Sequence, residues 1–93
     1  MWRTEEHRRV DKQVASVPRD ILRRYEKWQD IAMISGPSGL MAISGFHDEA
    51  LSGQWKGFRS SRLGLQYRVI YRVEPAEQLF QVESVTPHDY RRS

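Results

Sequence analysis

Basic side chains dominate one stretch in the second half of this 93-residue chain. Between Trp55 and Arg72 there are five of them and no acidic residue: Lys56, Arg59, Arg62, Arg68 and Arg72. Such a one-signed stretch concentrates positive potential, and guanidinium groups bind phosphate oxygens through paired hydrogen bonds. From charge alone, a surface that binds a polyanion and an ordinary solvated sheet face are equally good explanations.

The last residues of the chain add side chains that can transfer protons. His88 is one, because histidine has an ordinary pKa of about 6.5 and exchanges protons near neutral pH. Tyr90 is a second, although tyrosine, with an ordinary pKa of about 10, is a poor base at neutral pH unless cations lower that value. Arg91 and Arg92 follow, and they would add a salt-dependent attraction for phosphate.

Composition and charge narrow the class of protein. The net charge of +3 comes from residues 55–93, which hold seven Lys or Arg and four Asp or Glu, whereas residues 1–54 hold eight of each. A hydrophobic content of 39% and this length predict a single globular domain over residues 1–93. The chain has no cysteine, no apolar run long enough to span a bilayer and no apolar signal core. We therefore expect a cytoplasmic protein without membrane contacts.

Two helices are predicted in the first half. The first carries three valines at helical spacing: Val10, Val14 and Val17. Ser16 is expected to cap the second helix, with Asp20 in its first turn. The second helix carries its apolar residues on one face: Ile21, Leu22, Tyr25, Trp28, Ile31 and Ala32. The run of Gly, Pro, Ser and Gly at 36–39 predicts the end of this helix, and residues 39–45 are expected to form a loop with at most one helical turn.

A strand pattern begins after these helices. Every odd position from Leu65 to Val73 is apolar or aromatic, which is typical of a strand with one buried face. The same alternation places Arg68 and Arg72 together on the other face. Tyr67 and the other odd positions are expected to face the helices.

The neighbouring segments are expected to complete an antiparallel meander. Residues 79–85 form the returning strand after a turn at 74–77, and residues 55–63 form a preceding strand with a bulge near Gly57. A short strand around Trp2 is a further possibility. This order predicts an α+β fold, in which two N-terminal helices pack on one face of a small antiparallel sheet and leave the other face free.

Three motifs resemble those of the RelE/ParE superfamily, the toxins of bacterial type II toxin–antitoxin pairs, on its RelE, YoeB and HigB side. They are Leu51-Ser52-Gly53-x-Trp55, the strand motif Tyr67-Arg68-Val69-Ile70-Tyr71, and the tail from Thr86 to Arg92. The resemblance covers most of the chain and implies a RelE-like fold. It further implies an endoribonuclease without metal or cofactor, which cleaves messenger RNA in the ribosomal A site and so inhibits translation in a bacterial cytoplasm.

The resemblance also implies roles for individual residues. Arg68 matches the strand arginine that contacts the scissile phosphate, while His88 and Tyr90 stand where relatives place side chains that transfer protons or stack on a base. A set of cations matches residues that bind messenger RNA phosphates and 16S ribosomal RNA: Lys56, Arg59, Arg62, Arg91 and Arg92. The glutamate base of YoeB-like relatives has no counterpart, because Gly45 stands in its place.

The resemblance implies two kinds of partner besides the ribosome. A cognate antitoxin would hold the protein inactive, and operator DNA would be bound only through the complex with that antitoxin. Two other functions fit the same pattern. One is a ParE-like inhibitor of DNA gyrase with the same fold, and the other is a non-catalytic RNA-binding or repressor module. The second is less favoured. Recognition of single-stranded RNA uses exposed aromatic residues on the sheet, whereas Tyr67 and Tyr71 are expected to face the helices.

Overall fold

The computed structural model of the protein describes residues 1–87. Over that range the chain forms two α-helices, α1 (Arg9–Ser16) and α2 (Arg19–Met41). It also forms five strands: β1 (Arg3–Glu6), β2 (Glu49–Ala50), β3 (Arg59–Arg62), β4 (Tyr67–Glu74) and β5 (Leu79–Pro87). Short 3₁₀ turns lie at Ser44–Phe46, Gly53–Trp55 and Pro75–Glu77. None of the helices within residues 1–87 is both long and apolar enough to cross a membrane.

The described strands form one sheet in the order β1-β5-β4-β3-β2. All neighbours pair antiparallel except β1, which runs parallel to β5, so the predicted meander and the short N-terminal strand are both confirmed. The prediction of a strand over residues 55–63 is wrong for its first half. Gly57 adopts a φ of +97°, a left-handed conformation that favours glycine, and the strand begins only at Arg59.

The core lies between α2 and the odd positions of β4. Trp28 is fully buried, and its ring packs edge-on against Tyr71 and Phe80, with centroid distances of 5.2 and 5.8 Å. The indole Nε1 of Trp28 donates a hydrogen bond to Ser61 Oγ on β3 at 3.0 Å. The odd face of β4 is therefore the face covered by helix α2, as the alternation of the sequence predicts.

Helix α1 covers the edge of β5 beyond the point where β1 ends. The side chain of Gln13 accepts a hydrogen bond from the backbone N–H of Val85 at 2.7 Å and donates one to Ser84 Oγ at 3.0 Å. These bonds satisfy an edge that would otherwise expose unpaired backbone groups. Ser16 does not cap α2, contrary to prediction. Its hydroxyl donates back to the carbonyl of Gln13, and Pro18, whose ring fixes φ, occupies the N-cap position.

Helix α2 breaks at Gly36 but does not end there. Gly36 has a φ of +68°, and a Cβ atom at this position would lie 2.7 Å from the indole nitrogen of Trp2. Trp2 fills that space and packs edge-on against Phe80 at 5.3 Å. The helix then resumes from Pro37 to Met41, so the end predicted at 36–39 is a kink instead, and the helical residues 39–41 fall within the single turn expected at most for 39–45. Proline fits there because the first turn of a helix needs no N–H donor.

Candidate functional site

The sheet face opposite α2, which we call the open face, carries the even positions of β4: Arg68, Ile70 and Arg72. Strand alternation requires this, since the odd positions lie in the core. The predicted placement of both arginines on one face is thus confirmed. Ile70 between them is only 2% exposed and has Ser60 and Ser84 as its cross-strand neighbours. This buried row of residues separates two ends of the open face, one at Arg68 and one at Arg72.

At the Arg68 end of the open face, two arginines stand opposite each other on neighbouring strands. Arg62 on β3 and Thr86 on β5 are the direct cross-strand partners of Arg68. The Nε atom of Arg68 is buried and has no hydrogen-bond partner among residues 1–87. A buried donor left without a partner costs about 1–3 kcal/mol, and more on a charged group. Because like charges at directly opposed strand positions also repel, an anion bound here would relieve both costs.

At the Arg72 end, the arginine Nε has polar partners within the protein. Nε of Arg72 donates to the side-chain oxygen of Gln81 at 2.7 Å and lies 3.4 Å from a carboxylate oxygen of Glu74. Its guanidinium carbon is 5.9 Å from the centroid of the Phe58 ring, which packs edge-on against Trp55 at 5.4 Å. Arg72 therefore ties the loop before β3 to β4 and β5.

A third arginine on the sheet is neutralised by a buried carboxylate. The side chain of Asp48, which is 1% exposed, accepts a hydrogen bond from Arg59 Nε at 2.7 Å. It also accepts one from Ser61 Oγ at 2.6 Å and another from the Tyr71 hydroxyl. Since Ser61 in turn accepts from Trp28, the Asp48 network joins the loop before β2 to the centre of the core. The sequence predicts Arg59 to bind RNA, but its charge is balanced by this network.

The network changes the proton affinities of two of its members. Burial, reinforced by the hydrogen bond to Asp48 and the charge of its carboxylate, raises the pKa of Tyr71. Burial alone would lower the pKa of Arg59, but the hydrogen bond and attraction to Asp48 outweigh it and raise the pKa. Elsewhere in the same core, burial and the hydrogen bond to Glu6 raise the pKa of Tyr25. These tyrosines are held neutral and are structural donors.

The remaining predicted residues fall in different places. Lys56 is exposed and follows a 3₁₀ turn, outside any strand. Arg62 ends β3 and lines a cleft of about 640 Å³ beside the first turns of α2. Four predicted residues lie outside the described part of the chain: His88, Tyr90, Arg91 and Arg92. Within residues 1–87, no three acidic or histidine side chains are grouped so that they could hold a metal ion.

Asp48 is the main residue that sequence reasoning does not single out. It is one of three polar residues before β2 (His47, Asp48 and Glu49), and nothing local separates it from the others. The neighbouring backbone does contain a clue, because His47 adopts a left-handed φ of 44° and ends a 3₁₀ turn. The side chain of Asp48, directly after this turn, is buried, and sequence alone does not reveal it.

Comparison with solved structures relates this architecture to known proteins. A chain of the archaeal RelE–RelB complex from Pyrococcus horikoshii superposes with a TM-score of 0.75 and 27% identity, over 96% of this chain and 97% of that chain. The YoeB/ParE toxin from Agrobacterium tumefaciens gives a TM-score of 0.74 at 18% identity, covering 96% and 100% of the two chains. The chain has the fold of the RelE/ParE superfamily of toxins.

Other superfamily members are similar at lower identity. A chain of the YoeB–YefM complex from Staphylococcus aureus gives a TM-score of 0.73 at 12% identity, over 96% of this chain and 99% of that chain. No family model matches the sequence, and no curated protein matches it significantly. The superfamily assignment of this RelE-like chain therefore rests on its fold, and the neighbours are toxins of type II toxin–antitoxin systems.

Proposed function

We propose that this RelE-like chain is a toxin that cleaves messenger RNA in the ribosomal A site, with the Arg68 end of the open face as its phosphate-binding site. The observation that carries the proposal is the buried Nε of Arg68, which has no hydrogen-bond partner within the described part of the chain. A phosphate group provides two acceptor oxygens in the geometry that a guanidinium edge requires. The other arginine on the same strand face, Arg72, already has its partners and is not part of the site.

The chemistry needs no bound metal. The 2′-hydroxyl of the RNA attacks the adjacent phosphorus, the bond from phosphorus to the 5′-oxygen breaks, and a 2′,3′-cyclic phosphate and a 5′-hydroxyl result. A base must accept the 2′ proton, an acid must protonate the leaving oxygen, and a cation must stabilise charge on the phosphorane. Arg68 supplies that cation. Its half-buried position strengthens the interaction, because charges attract more strongly where water is excluded.

The tail would supply proton transfer. Thr86 is paired with Arg68, and β5 is described as far as Pro87, which His88 follows directly in the sequence. This connectivity supports His88 and Tyr90 as the acid and base, with Arg91 and Arg92 as further phosphate contacts. Lys56, exposed before β3, is proposed to contact RNA from the far side of the open face. We do not include Arg59, because Asp48 balances its charge.

A cognate antitoxin is the proposed regulator. The solved neighbours from Pyrococcus horikoshii and Staphylococcus aureus are both complexes, of RelE with RelB and of YoeB with YefM. By analogy this chain would be held inactive by such a partner, and it would reach operator DNA only as part of that complex.

Primer extension on a translated message tests the proposed function. Induction of the chain should produce new 5′ ends at fixed positions within codons, and protein synthesis should stop before DNA synthesis. A ParE-like gyrase inhibitor would instead stop DNA synthesis first and leave the message intact. That outcome, or uncut message in cells that have stopped translating, would refute the ribonuclease proposal.

A further inference from the structure

Two aromatic rings lie at the Arg72 end of the open face, outside the chemistry proposed above. Trp55 and Phe58 pack edge-on at a centroid distance of 5.4 Å, and we call them the aromatic pair. The Phe58 ring lies 5.9 Å from the guanidinium carbon of Arg72, which places the pair on the open face. Neither ring belongs to the hydrophobic core of residues 1–87, and both are partly exposed. Large aromatic side chains outside the core of so small a domain are available to a ligand.

The loop that carries the aromatic pair is closed by backbone hydrogen bonds. The N–H of Leu51 donates to the carbonyl of Phe58 at 2.9 Å, and the N–H of Phe58 donates to the carbonyl of Trp55 at 3.0 Å. The N–H of Trp55 donates in turn to the carbonyl of Ser52 at 3.2 Å. Because these bonds order the rings before any ligand arrives, a flat ligand would bind them at little cost in conformational entropy.

The charges around the aromatic pair indicate which flat ligand fits. The sequence from Trp55 to Arg72 contains no acidic residue, and Lys56, directly after Trp55, is exposed. Beyond Arg72, a cleft of about 300 Å³ is lined by three glutamates: Glu5, Glu6 and Glu83. Phosphate groups would be attracted on the side of Lys56 and repelled on the side of the glutamates. An RNA strand would therefore contact this end of the face with a base, because the rings accept a base and the glutamates disfavour a phosphate.

The aromatic pair and the Arg68 end lie along one strip of the sheet. Residues 68 and 72 are four positions apart on β4, which corresponds to about 13 Å at about 3.3 Å per residue. The surface between them is low, because Ile70 is only 2% exposed and its cross-strand neighbours are the buried Ser60 and Ser84. A strand with one phosphate at Arg68 can therefore cross this surface and reach the pair a few nucleotides away.

We propose that the aromatic pair stacks on a nucleobase of the RNA whose scissile phosphate lies at Arg68. Trp55 supplies the stacking face, and Phe58, in contact with Arg72, holds its ring in place. Lys56 attracts the phosphate next to that base. The substrate is then single-stranded between the two ends, because a base within a duplex is not free to stack on a side chain. The inference rests on the proposed function, since the phosphate at Arg68 positions the strand.

Two oligonucleotides that bind without being cleaved test the stacking with the full chain. The long probe is a fluorescent 2′-O-methyl oligouridylate of about six nucleotides, and the short probe is the corresponding dinucleotide. Trp55→Ala should weaken binding of the long probe by about tenfold. Binding of the short probe should not change, because a dinucleotide does not reach from Arg68 to the aromatic pair.

Two further variants separate stacking from simple apolar contact. Trp55→Phe, which keeps a ring, should bind the long probe within about threefold of the wild type. Trp55→Leu keeps an apolar side chain without a ring, and it should bind like Trp55→Ala. The control Ile34→Ala removes an exposed apolar side chain from α2 and should bind like the wild type. Urea unfolding checks that each variant is folded.

Abasic nucleotides locate the stacked base. Replacing one uridine of the long probe at a time should weaken binding to the wild type at one position, and that replacement should have no further effect on Trp55→Ala. Three results would overturn the proposal. They are wild-type binding of the long probe by Trp55→Ala, wild-type binding by Trp55→Leu, and abasic losses that are the same in Trp55→Ala as in the wild type.

Arg68→Ala distinguishes failure of this inference from failure of the proposed function. This variant should weaken binding of both probes. If it does so while Trp55→Ala binds the long probe like the wild type, the phosphate site stands and the stacking proposal is wrong. If Arg68→Ala binds both probes like the wild type, the proposed phosphate site is wrong, and so is the placement of the strand that depends on it.

Discussion

Arg68 and Arg72 occupy the same strand and the same face of the sheet, yet their surroundings differ completely. Arg72 has Gln81, Glu74 and the ring of Phe58 around its guanidinium group. Arg68 has a buried Nε for which residues 1–87 supply no hydrogen-bond partner. Residue type and parity are identical, so the neighbours on adjacent strands decide what each arginine does. A satisfied arginine holds the fold together, whereas an unsatisfied one stores a cost that a ligand can relieve.

The comparison predicts that the two arginines affect different measurements. The largest effect is expected for Arg68→Ala, which should reduce the cleavage rate of a translated message by about 10²–10³-fold, as for loss of one donor to developing charge. Its free energy of unfolding should stay the same or rise, because the variant removes a buried donor that has no partner among residues 1–87. Single-turnover kinetics and urea unfolding measure the two quantities. Wild-type cleavage by Arg68→Ala would remove the basis of the comparison.

A third arginine, Arg59, has a buried carboxylate, Asp48, as its partner. Asp48→Ala should lower the free energy of unfolding by about 3 kcal/mol, because the Arg59 charge would lose its buried partner. The exposed neighbour offers a matched control, since Glu49→Ala should change stability by less than about 0.5 kcal/mol. Urea unfolding of both variants measures the difference. Equal stabilities would mean that the Asp48 network does not hold its loop on the core.

Arg72→Ala should have a smaller effect on stability than Asp48→Ala. Its hydrogen bond to Gln81 is worth about 1 kcal/mol, and its partly exposed ion pair with Glu74 adds little. Cleavage by this variant should remain within a few-fold of the wild-type rate. If the folded variant cleaved RNA much more slowly than a few-fold below the wild-type rate, Arg72 would belong to the site, and its purely structural role would be contradicted.

The smallest effect concerns alkaline pH. Burial and Asp48 raise the pKa of Tyr71, so the folded protein favours the neutral phenol. The resulting stability is fully present below the unfolded-state pKa of about 10 and is lost as the pH rises above it. Urea midpoints of Tyr71→Phe should therefore fall less steeply than those of the wild type above about pH 10. Parallel slopes would show that Tyr71 does not contribute to alkaline unfolding.

Local sequence patterns were sufficient for part of the fold. The alternation from Tyr67 to Val73 predicts β4 and both of its faces, and the valine spacing predicts α1. The continuation of α2 past Gly36 was not predictable locally, because the cause is the packing of Trp2 from the other end of the chain. The two-residue strand β2 is likewise too short to show a period of its own.

The residue types of the candidate site were predictable from the sequence, but which of its arginines have partners in the folded protein was not. Strand parity places Arg68 and Arg72 on the same face equally well, and the motif contains Arg68. Their different surroundings follow from the strand register, which pairs Arg72 with Gln81. Arg59 looks like another surface cation until the chain folds Asp48 against it across 11 residues. Such distinctions depend on contacts between segments, which spacing along the sequence does not encode.

The central claim is that phosphate binds at Arg68 and not at Arg72. Nuclear magnetic resonance of the arginine Nε–Hε groups tests it directly, with an RNA dinucleotide whose 2′-oxygen is methylated so that it binds without being cleaved. The Arg68 resonance is expected to shift with saturation and to become protected from exchange, while that of Arg72 stays in place. A shift of the Arg72 resonance with no change at Arg68 would contradict it.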